Sequence, residues 1–108
     1  MKTPDSLQGA VDLMILKILS RRPRLHGYAI MTLIQEISEG VLRAEEGSLY
    51  PALRRLEQAG LLSAEWILRD GRRARIYALT AQGRKQLNTE ESRWQAGTSA
   101  VNRVLRMA

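Results

Sequence analysis

Apolar residues recur at helical spacing twice within the first 40 positions. In "SLQGAVDLMILKILSRR" they surround nearly the whole helical wheel, which predicts a helix buried on several sides. In so short a chain this indicates the chain's own core on one side and a second subunit on the other. Pro23 prevents continuation of this first helix.

"GYAIMTLIQEISEG" predicts a second helix that ends at Gly40. Its apolar stripe comprises Ile30, Leu33, Ile34 and Ile37.

A third helix is predicted over residues 48–60, within "EEGSLYPALRRLEQAGLL". Ser48 supplies a capping hydroxyl, which would place Pro51 in the first turn, where backbone N–H groups have no partner inside the helix. Gly60 closes the helix. One side of the helical wheel is apolar and should dock onto the domain: Leu49, Ala52, Leu53 and Leu56. The opposite side is centred on Arg54 and flanked by Tyr50, Pro51, Arg55 and Gln58.

The pattern changes from helical to β-like after Gly60. "LLSAEWIL" and "ARIYALT" are β-prone runs joined by "RDGRR", and Asp-Gly between such runs predicts a hairpin because that turn needs positive φ. Thr80 then caps a long last helix from residue 81 to about 107. Large apolar residues recur there every seven positions, as in helices that pair with helices. They are Leu87, Trp94 and Val101, with Val104 and Leu105 alongside.

Three helices, a hairpin and one long helix make up a known architecture. The expected fold class is mainly α with a small β-hairpin, a winged helix-turn-helix domain plus a long C-terminal dimerisation helix. We assign residues 1–80 to the winged domain and residues 81–108 to the dimerisation helix. The chain has 108 residues, enough for one domain and too few for two independent ones.

Composition excludes several kinds of chemistry. The chain has no cysteine and one histidine, so it offers no disulfide, no thiolate zinc site and no cysteine nucleophile. There is no nucleophile–base pair and no phosphate loop, and we expect neither enzymatic activity nor a metal or cofactor. "MKTPDSLQGA" lacks the apolar run of a signal peptide, and charges interrupt "VDLMILKILS". We therefore predict a cytoplasmic protein without a membrane partner.

The charge balance points to a polyanion. Lys and Arg number 17 against 11 Asp and Glu, a net charge of +6. Such a balance fits nucleic acid or an acidic membrane, and equally a charge that only prevents aggregation. The hairpin favours nucleic acid, and its alternative interpretation is a charged edge strand that discourages aggregation between sheets. Its tip carries four arginines against Asp70 alone, more than short strands need for stability, which suits phosphates or a narrow minor groove. Those arginines are Arg69, Arg72, Arg73 and Arg75.

Three blocks, "LHGYAI", "EEGSLYPALRRLEQAGLL" and "RRARIYALTAQGRKQL", resemble the PadR family of bacterial transcriptional regulators, and their spacing matches over nearly the whole chain. Length and the single C-terminal helix resemble its short-tailed subfamily. The resemblance implies a homodimeric repressor that binds double-stranded DNA at an inverted-repeat operator. It assigns Ser48, Tyr50 and Pro51 to the DNA-facing start of the recognition helix. It also implies that Tyr28 approaches the DNA backbone and that Arg72 and Arg73 sit in the wing.

The resemblance also concerns the subunit interface and an effector. The last helix would pack on the partner's first and last helices through Leu13, Leu16, Leu87, Trp94, Val101 and Leu105. In relatives that bind planar aromatic drugs, a tryptophan on this helix stacks on the ligand, and Trp94 lies the same 14 residues after the "LT" motif. A small hydrophobic or aromatic effector is thus one interpretation of Trp94. The other is plain packing in the dimer core.

Two other features have structural interpretations. We interpret His26 as a helix-start residue, and Glu45 with Glu46 as charges that favour a helix N-terminus and not as a catalytic pair. The leading hypothesis is a sequence-specific DNA-binding transcriptional regulator. The alternative is a winged-helix module that binds protein and never DNA; such a module should carry an acidic or apolar recognition helix and a wing without arginines.

Overall fold

A computed structural model describes residues 6–107 of the chain. Over that range the elements occur in the predicted order of three helices, a hairpin and a long helix, and a short additional strand precedes the second helix. The predicted fold class is confirmed. The elements are α1 (Ser6–Arg21), β1 (Leu25–His26), α2 (Gly27–Ile37), α3 (Glu46–Gln58), β2 (Leu62–Arg69), β3 (Arg72–Leu79) and α4 (Ala81–Leu105).

The core lies where α1 crosses α2, α3 and the start of α4. Its most buried large side chains come from the three N-terminal helices: Ile15, Ile30, Leu49 and Leu53. The docking stripe of α3 is buried as predicted. On α1 the apolar residues are not buried on every side of the helix, because Leu13 and Met14 are only half-buried. Both side chains pack against the edge of the core and keep part of their surface accessible.

The second helix begins as predicted and ends early. His26 precedes it as the N-cap, and its Nδ1 accepts a hydrogen bond from the Ala29 N–H at 3.2 Å. The helix stops at Ile37, because Glu39 and Gly40 adopt positive φ angles of 54° and 81° and turn the chain. Ile37, the last residue of the predicted apolar stripe, is 69% exposed at the end of the helix.

The third helix starts earlier than predicted. The N–H groups of Ser48 and Leu49 both donate to the Glu45 carbonyl, at 3.0 and 2.8 Å, which closes the first turn ahead of Ser48. Ser48 is therefore not the cap; its Oγ donates to the same carbonyl at 3.2 Å. Pro51 is consequently an interior residue of α3 and not a first-turn residue. Having no N–H, it leaves the Gly47 carbonyl without the usual helical bond.

The hairpin is built on the predicted turn. Asp70 and Gly71 have φ angles of 51° and 76°, and the two strands pair from Arg69 opposite Arg72 back to their bases. An additional strand, β1, pairs with the far side of β3 at residues 76 and 77 only. Two residues are too few to give a periodic signal, so sequence analysis missed β1. From residue 72 to 75, β3 is paired on one side alone.

The long helix is anchored at its start and extends away from the domain. Thr80 Oγ1 accepts the Gly83 N–H at 2.9 Å and donates to the Gly60 carbonyl at 2.8 Å, as the predicted cap should. Only Gly83 and Leu87 of α4 are buried. Farther along, Glu91 pairs with Lys17 at 3.1 Å. The described chain measures 60 × 29 × 22 Å, elongated by the remainder of α4. None of the helices described has an apolar stretch sufficient to cross a bilayer.

Candidate nucleic-acid interface

A groove of about 590 Å³ lies between the start of α2, the outer side of α3 and the hairpin. Its lining is rich in hydroxyl and guanidinium groups and carries one carboxylate, that of Asp70. The lining residues are His26, Gly27, Tyr28, Tyr50, Arg69, Asp70, Arg72, Arg73, Ala74, Arg75 and Tyr77. Arginine fork geometry suits phosphate and guanine edges, and tyrosine hydroxyls can bond to phosphates. The groove therefore has the chemistry of a nucleic-acid contact surface.

The structure brings together four of the seven residues predicted to contact DNA. Tyr28, Tyr50, Arg72 and Arg73 line the groove, although they come from α2, α3 and β3. The remaining three are Ser48, Pro51 and Arg54, which are exposed on α3 outside the groove lining. Four of the seven residues thus lie on the predicted recognition helix α3, two lie on the hairpin strand β3, and Tyr28 lies at the start of α2.

The two adjacent arginines of α3 have different environments. Arg54 is exposed and forms no ion pair within residues 6–107. Arg55 was predicted on the outward side as well, but its guanidinium bonds to Asp12 of α1 at 2.9 Å. Burial raises the pKa of Asp12 above its ordinary value of 3.8, and the bond and charge of Arg55 oppose that rise only in part. Arg55 thus joins two helices of the domain.

Gly27 allows the Tyr50 ring to approach the start of α2 closely. A methyl group placed on Gly27 would lie 2.6 Å from Cε1 of the Tyr50 ring, so only glycine permits this approach. Gly27 is the first residue of α2 and is buried. Tyr50 remains 38% exposed, with its outer edge available to a ligand.

The four hairpin arginines divide into two pairs. Arg69 and Arg72 are exposed beside the turn and face each other across the strands. Arg73 and Arg75 instead lie over the Trp66 ring, with guanidinium carbons 4.5 and 5.0 Å from its centroid. Arg75 also bonds to Glu57 of α3 at 2.6 Å. Two of the four hairpin arginines, Arg73 and Arg75, therefore already contact other side chains of the protein.

Tyr77 lies at the base of the groove beside this network. Burial raises the pKa of its hydroxyl above the ordinary 10.0, the carboxylate of Glu57 adds to the rise, and Arg75 opposes it. The phenol is therefore neutral at physiological pH and keeps its proton for donation. A neutral Tyr77 adds no negative charge to the groove beside its arginines.

Four residues that line or adjoin the groove were not predicted from the sequence: Gly27, Glu57, Trp66 and Tyr77. A signal for one of them was available. A two-residue turn at Asp70 and Gly71 fixes the register, and that register places Trp66 directly opposite Arg75. No such rule links Gly27 to Tyr50 or Glu57 to Arg75, because those contacts join different elements.

The residues predicted for a subunit interface fall into two groups. Leu16 and Leu87 are 2% and 3% exposed within their own chain, because α1 packs against the first turns of α4. Their predicted contact with a partner is corrected: both belong to the chain's own core. Four others retain accessible surface, Leu13 being half-buried and Trp94, Val101 and Leu105 exposed. These last three share one face of α4 beyond the domain.

Other kinds of site find little support in the part of the chain described. Residues 6–107 contain no cluster of three or more histidine, cysteine or acidic residues placed to hold a metal. A second cavity of about 340 Å³ lies between α2 and the segment before α3, where it is lined by both signs of charge. Glu45 and Glu46 border it and stand at the start of α3, as interpreted from the sequence.

Comparison with known proteins agrees with this architecture. Residues 15–89 match the model of the transcriptional regulator PadR-like family. A transcriptional regulator of Mycobacterium tuberculosis is 48% identical over 61 residues, which span 56% of this chain and 56% of that protein. A transcriptional regulator structure from Clostridium thermocellum superposes with a TM-score of 0.84 at 26% identity, covering 92% of this chain and 96% of that one. A PadR family regulator from Clostridium difficile gives 0.76 at 27% identity, covering 90% and 99%.

Proposed function

The chain belongs to the PadR-like family of transcriptional regulators, and we propose that it is a repressor that binds double-stranded DNA as a homodimer at an inverted-repeat operator. The observation that carries the proposal is the groove in which Tyr28, Tyr50, Arg72 and Arg73 meet. Each winged domain would occupy one half-site, and the two-fold symmetry of the dimer would match that of the operator.

In this proposal α3 enters the major groove and discriminates between sequences. Its outward surface combines the Tyr50 hydroxyl with the Arg54 guanidinium, groups that can bond to base edges. Ser48 and Pro51 stand at the exposed front of the same helix. The buried stripe on the opposite side fixes the helix to the core. A rigid support of this kind holds the reading groups in one geometry.

The wing in turn contacts the phosphate backbone. Arg72 and Arg73 would bond to phosphates on one side of the groove, while Tyr28 at the start of α2 approaches the backbone on the other. Such contacts release counterions, so binding should weaken steeply as salt is added. They fix position and orientation without identifying bases.

Dimerisation would use the part of α4 that extends from the domain. Trp94, Val101 and Leu105 repeat along one face, and these large apolar side chains are exposed in the single chain. A partner's helix would cover them together with the half-buried flank of α1 at Leu13. Heptad-spaced apolar residues are typical of helices that pair in this way.

An effector would act through the same interface. A small hydrophobic or aromatic molecule stacked on Trp94 between the subunits would favour one spacing of the two winged domains. If that spacing does not match the operator, operator affinity falls by at most the ratio of the effector's affinities for the two states. Trp94 as plain dimer packing would leave operator affinity unchanged by any such ligand.

Selection from a random-sequence duplex pool at two salt concentrations tests the function. Recovery of an inverted repeat, with weaker binding at the higher salt, supports a dimeric DNA-binding regulator. Recovery of no sequence preference and no salt dependence contradicts the proposal. That outcome would favour the alternative, a winged-helix module that binds protein.

A further inference from the structure

The tip of the wing has little support from the sheet. Strand β1 pairs with β3 only at Ile76 and Tyr77, so residues 72–75 are bonded to β2 alone. A two-stranded ribbon is marginally stable in water. This unsupported segment nevertheless carries Arg72 and Arg73, which must be held at a set distance from α3 to act together with it.

An ion pair joins the ribbon to the recognition helix. The Arg75 guanidinium lies 2.6 Å from Oε2 of Glu57, near the C-terminal end of α3, and 5.0 Å from the centroid of the Trp66 ring on β2. The Arg75 and Glu57 side chains are only 28% and 31% exposed. The attraction between two charges shielded from water to this extent is stronger than that between fully solvated charges. The contact thus connects α3, β2 and β3 where the ribbon begins.

We infer that Glu57, through Arg75 stacked on Trp66, sets the angle between the wing and the recognition helix. Glu57 is then a positioning residue for DNA binding, although its charge repels DNA. The inference rests on the proposed function. The turn at Asp70 lies five residues beyond Arg75, or about 17 Å along a strand. A rotation of about 10° there displaces the turn by about 3 Å, the length of a whole hydrogen bond.

The sign of one substitution separates positioning from simple electrostatics. Removing a carboxylate near a DNA-binding groove relieves repulsion of phosphates, so charge alone predicts tighter binding for Glu57→Gln. Positioning predicts weaker binding, because Arg75 loses its charged partner and the wing loses its fixed angle. The two accounts cannot both hold.

The binding experiment compares Glu57→Gln with Glu65→Gln on the operator recovered by selection, at one salt concentration. Glu65 is the control, since it lies on the hairpin strand β2, pairs with an arginine as Glu57 does, in its case Arg24, and stays outside the groove lining. We expect Glu57→Gln to weaken operator binding by about tenfold, and Glu65→Gln to bind as tightly as the unmodified protein or more tightly. Arg75→Lys keeps the charge but loses the planar stack, and it should weaken binding as well.

A measurement without DNA tests the positioning contact itself. Protein labelled with 5-fluorotryptophan gives one ¹⁹F resonance for Trp66 and one for Trp94, assigned with Trp66→Phe. Glu57→Gln and Arg75→Lys should move the Trp66 resonance and leave that of Trp94 in place. An unmoved Trp66 resonance, or operator binding by Glu57→Gln at or above the unmodified level, overturns the inference. If the unmodified protein retains no duplex, the proposed function fails, and the fluorine spectrum alone decides the positioning role.

Discussion

At the scale of single residues, arginines of similar sequence context have different roles. Arg54 projects outward while Arg55 is bonded to Asp12, and Arg72 is exposed while Arg75 is engaged by Glu57 and Trp66. Net charge alone cannot separate these groups. The proposed division is that wing arginines contact phosphates and Tyr50 contributes to sequence discrimination.

Substituting the wing arginines should differ in kind from substituting Tyr50. Arg72→Ala with Arg73→Ala should weaken binding to every sequence and reduce the slope of log affinity against log salt by about two. Tyr50→Ala should leave that slope in place and reduce the preference for operator over random duplex by about tenfold. Titrations of both duplexes over a salt series measure both quantities.

Arg84→Ala with Lys85→Ala is the control for that comparison, because it removes the same charge from exposed positions of α4 outside the groove. We expect it to change the salt slope less than the wing variant does. Equal losses for the wing and Tyr50 variants on every duplex would disprove the division of roles.

Asp12 gives a prediction for stability against pH. Because burial raises its pKa in the folded protein, the folded chain holds this proton more tightly than the unfolded chain. The group's stabilising contribution is complete below pH 3.8, the ordinary value, and is lost as pH rises through the folded pKa. Asp12→Asn carries no such charge. Its free energy of unfolding, relative to the unmodified protein, should therefore rise with pH over that window and then level off. Urea titrations from pH 3 to 7 measure the difference, and a decline with pH would contradict the assignment.

At the scale of elements, the start of α4 is fixed by close packing that no residue other than glycine permits. A methyl group on Gly83 would lie 2.1 Å from the Leu61 carbonyl oxygen, which belongs to the backbone and cannot rotate away. The cap at Thr80 and its bond to the Gly60 carbonyl hold the same junction. The helix that carries the proposed dimer surface is therefore oriented by a junction of backbone against backbone.

Gly83→Ala should lower the free energy of unfolding by about 1–3 kcal/mol, the usual cost of overpacking. Gly47→Ala is the matched control, because Gly47 also lies in the first turn of a helix and has no atom near the added methyl. That variant should be neutral or more stable by up to about 1 kcal/mol. Chemical denaturation compares the two, and equal stabilities would show that α4 does not approach Leu61 so closely in solution.

At the scale of the whole molecule, the single chain leaves a long apolar face uncovered. Val101, Val104 and Leu105 are 45%, 64% and 75% exposed on the part of α4 that extends from the domain. Apolar surface of this extent along one helix is costly in water and marks an interaction surface. We propose a second copy of the chain as the partner, which would also place two winged domains for two half-sites.

Val101→Glu with Leu105→Glu should raise the dimer dissociation constant by at least about 100-fold, since each change places a charge where apolar area would be buried. Ser92→Glu with Ser99→Glu adds the same charge to exposed positions on the opposite side of α4 and should leave association unchanged. Sedimentation velocity over a concentration series measures both. A protein that remains monomeric without substitution would contradict the dimer.

The sequence predicted the elements and most of their order, because helical periodicity, the Asp-Gly turn and the Thr80 cap are local signals. It also determined that the positive charge concentrates on the hairpin. It placed the start of α3 two residues late, since the Glu45 carbonyl captures the first N–H groups and Ser48 does not. Local sequence patterns could not show whether the first turn of α3 begins at Glu45 or at Ser48.

Only the tertiary structure decided which side chains meet. It placed Tyr28, Tyr50 and the wing arginines around one groove, joined Glu57 to Arg75, and assigned Leu16 and Leu87 to the core and not to an exposed interface. The physical reason is that periodicity fixes which side of an element is apolar. What that side packs against depends on how whole elements cross, and contacts between elements distant in sequence leave no periodic trace.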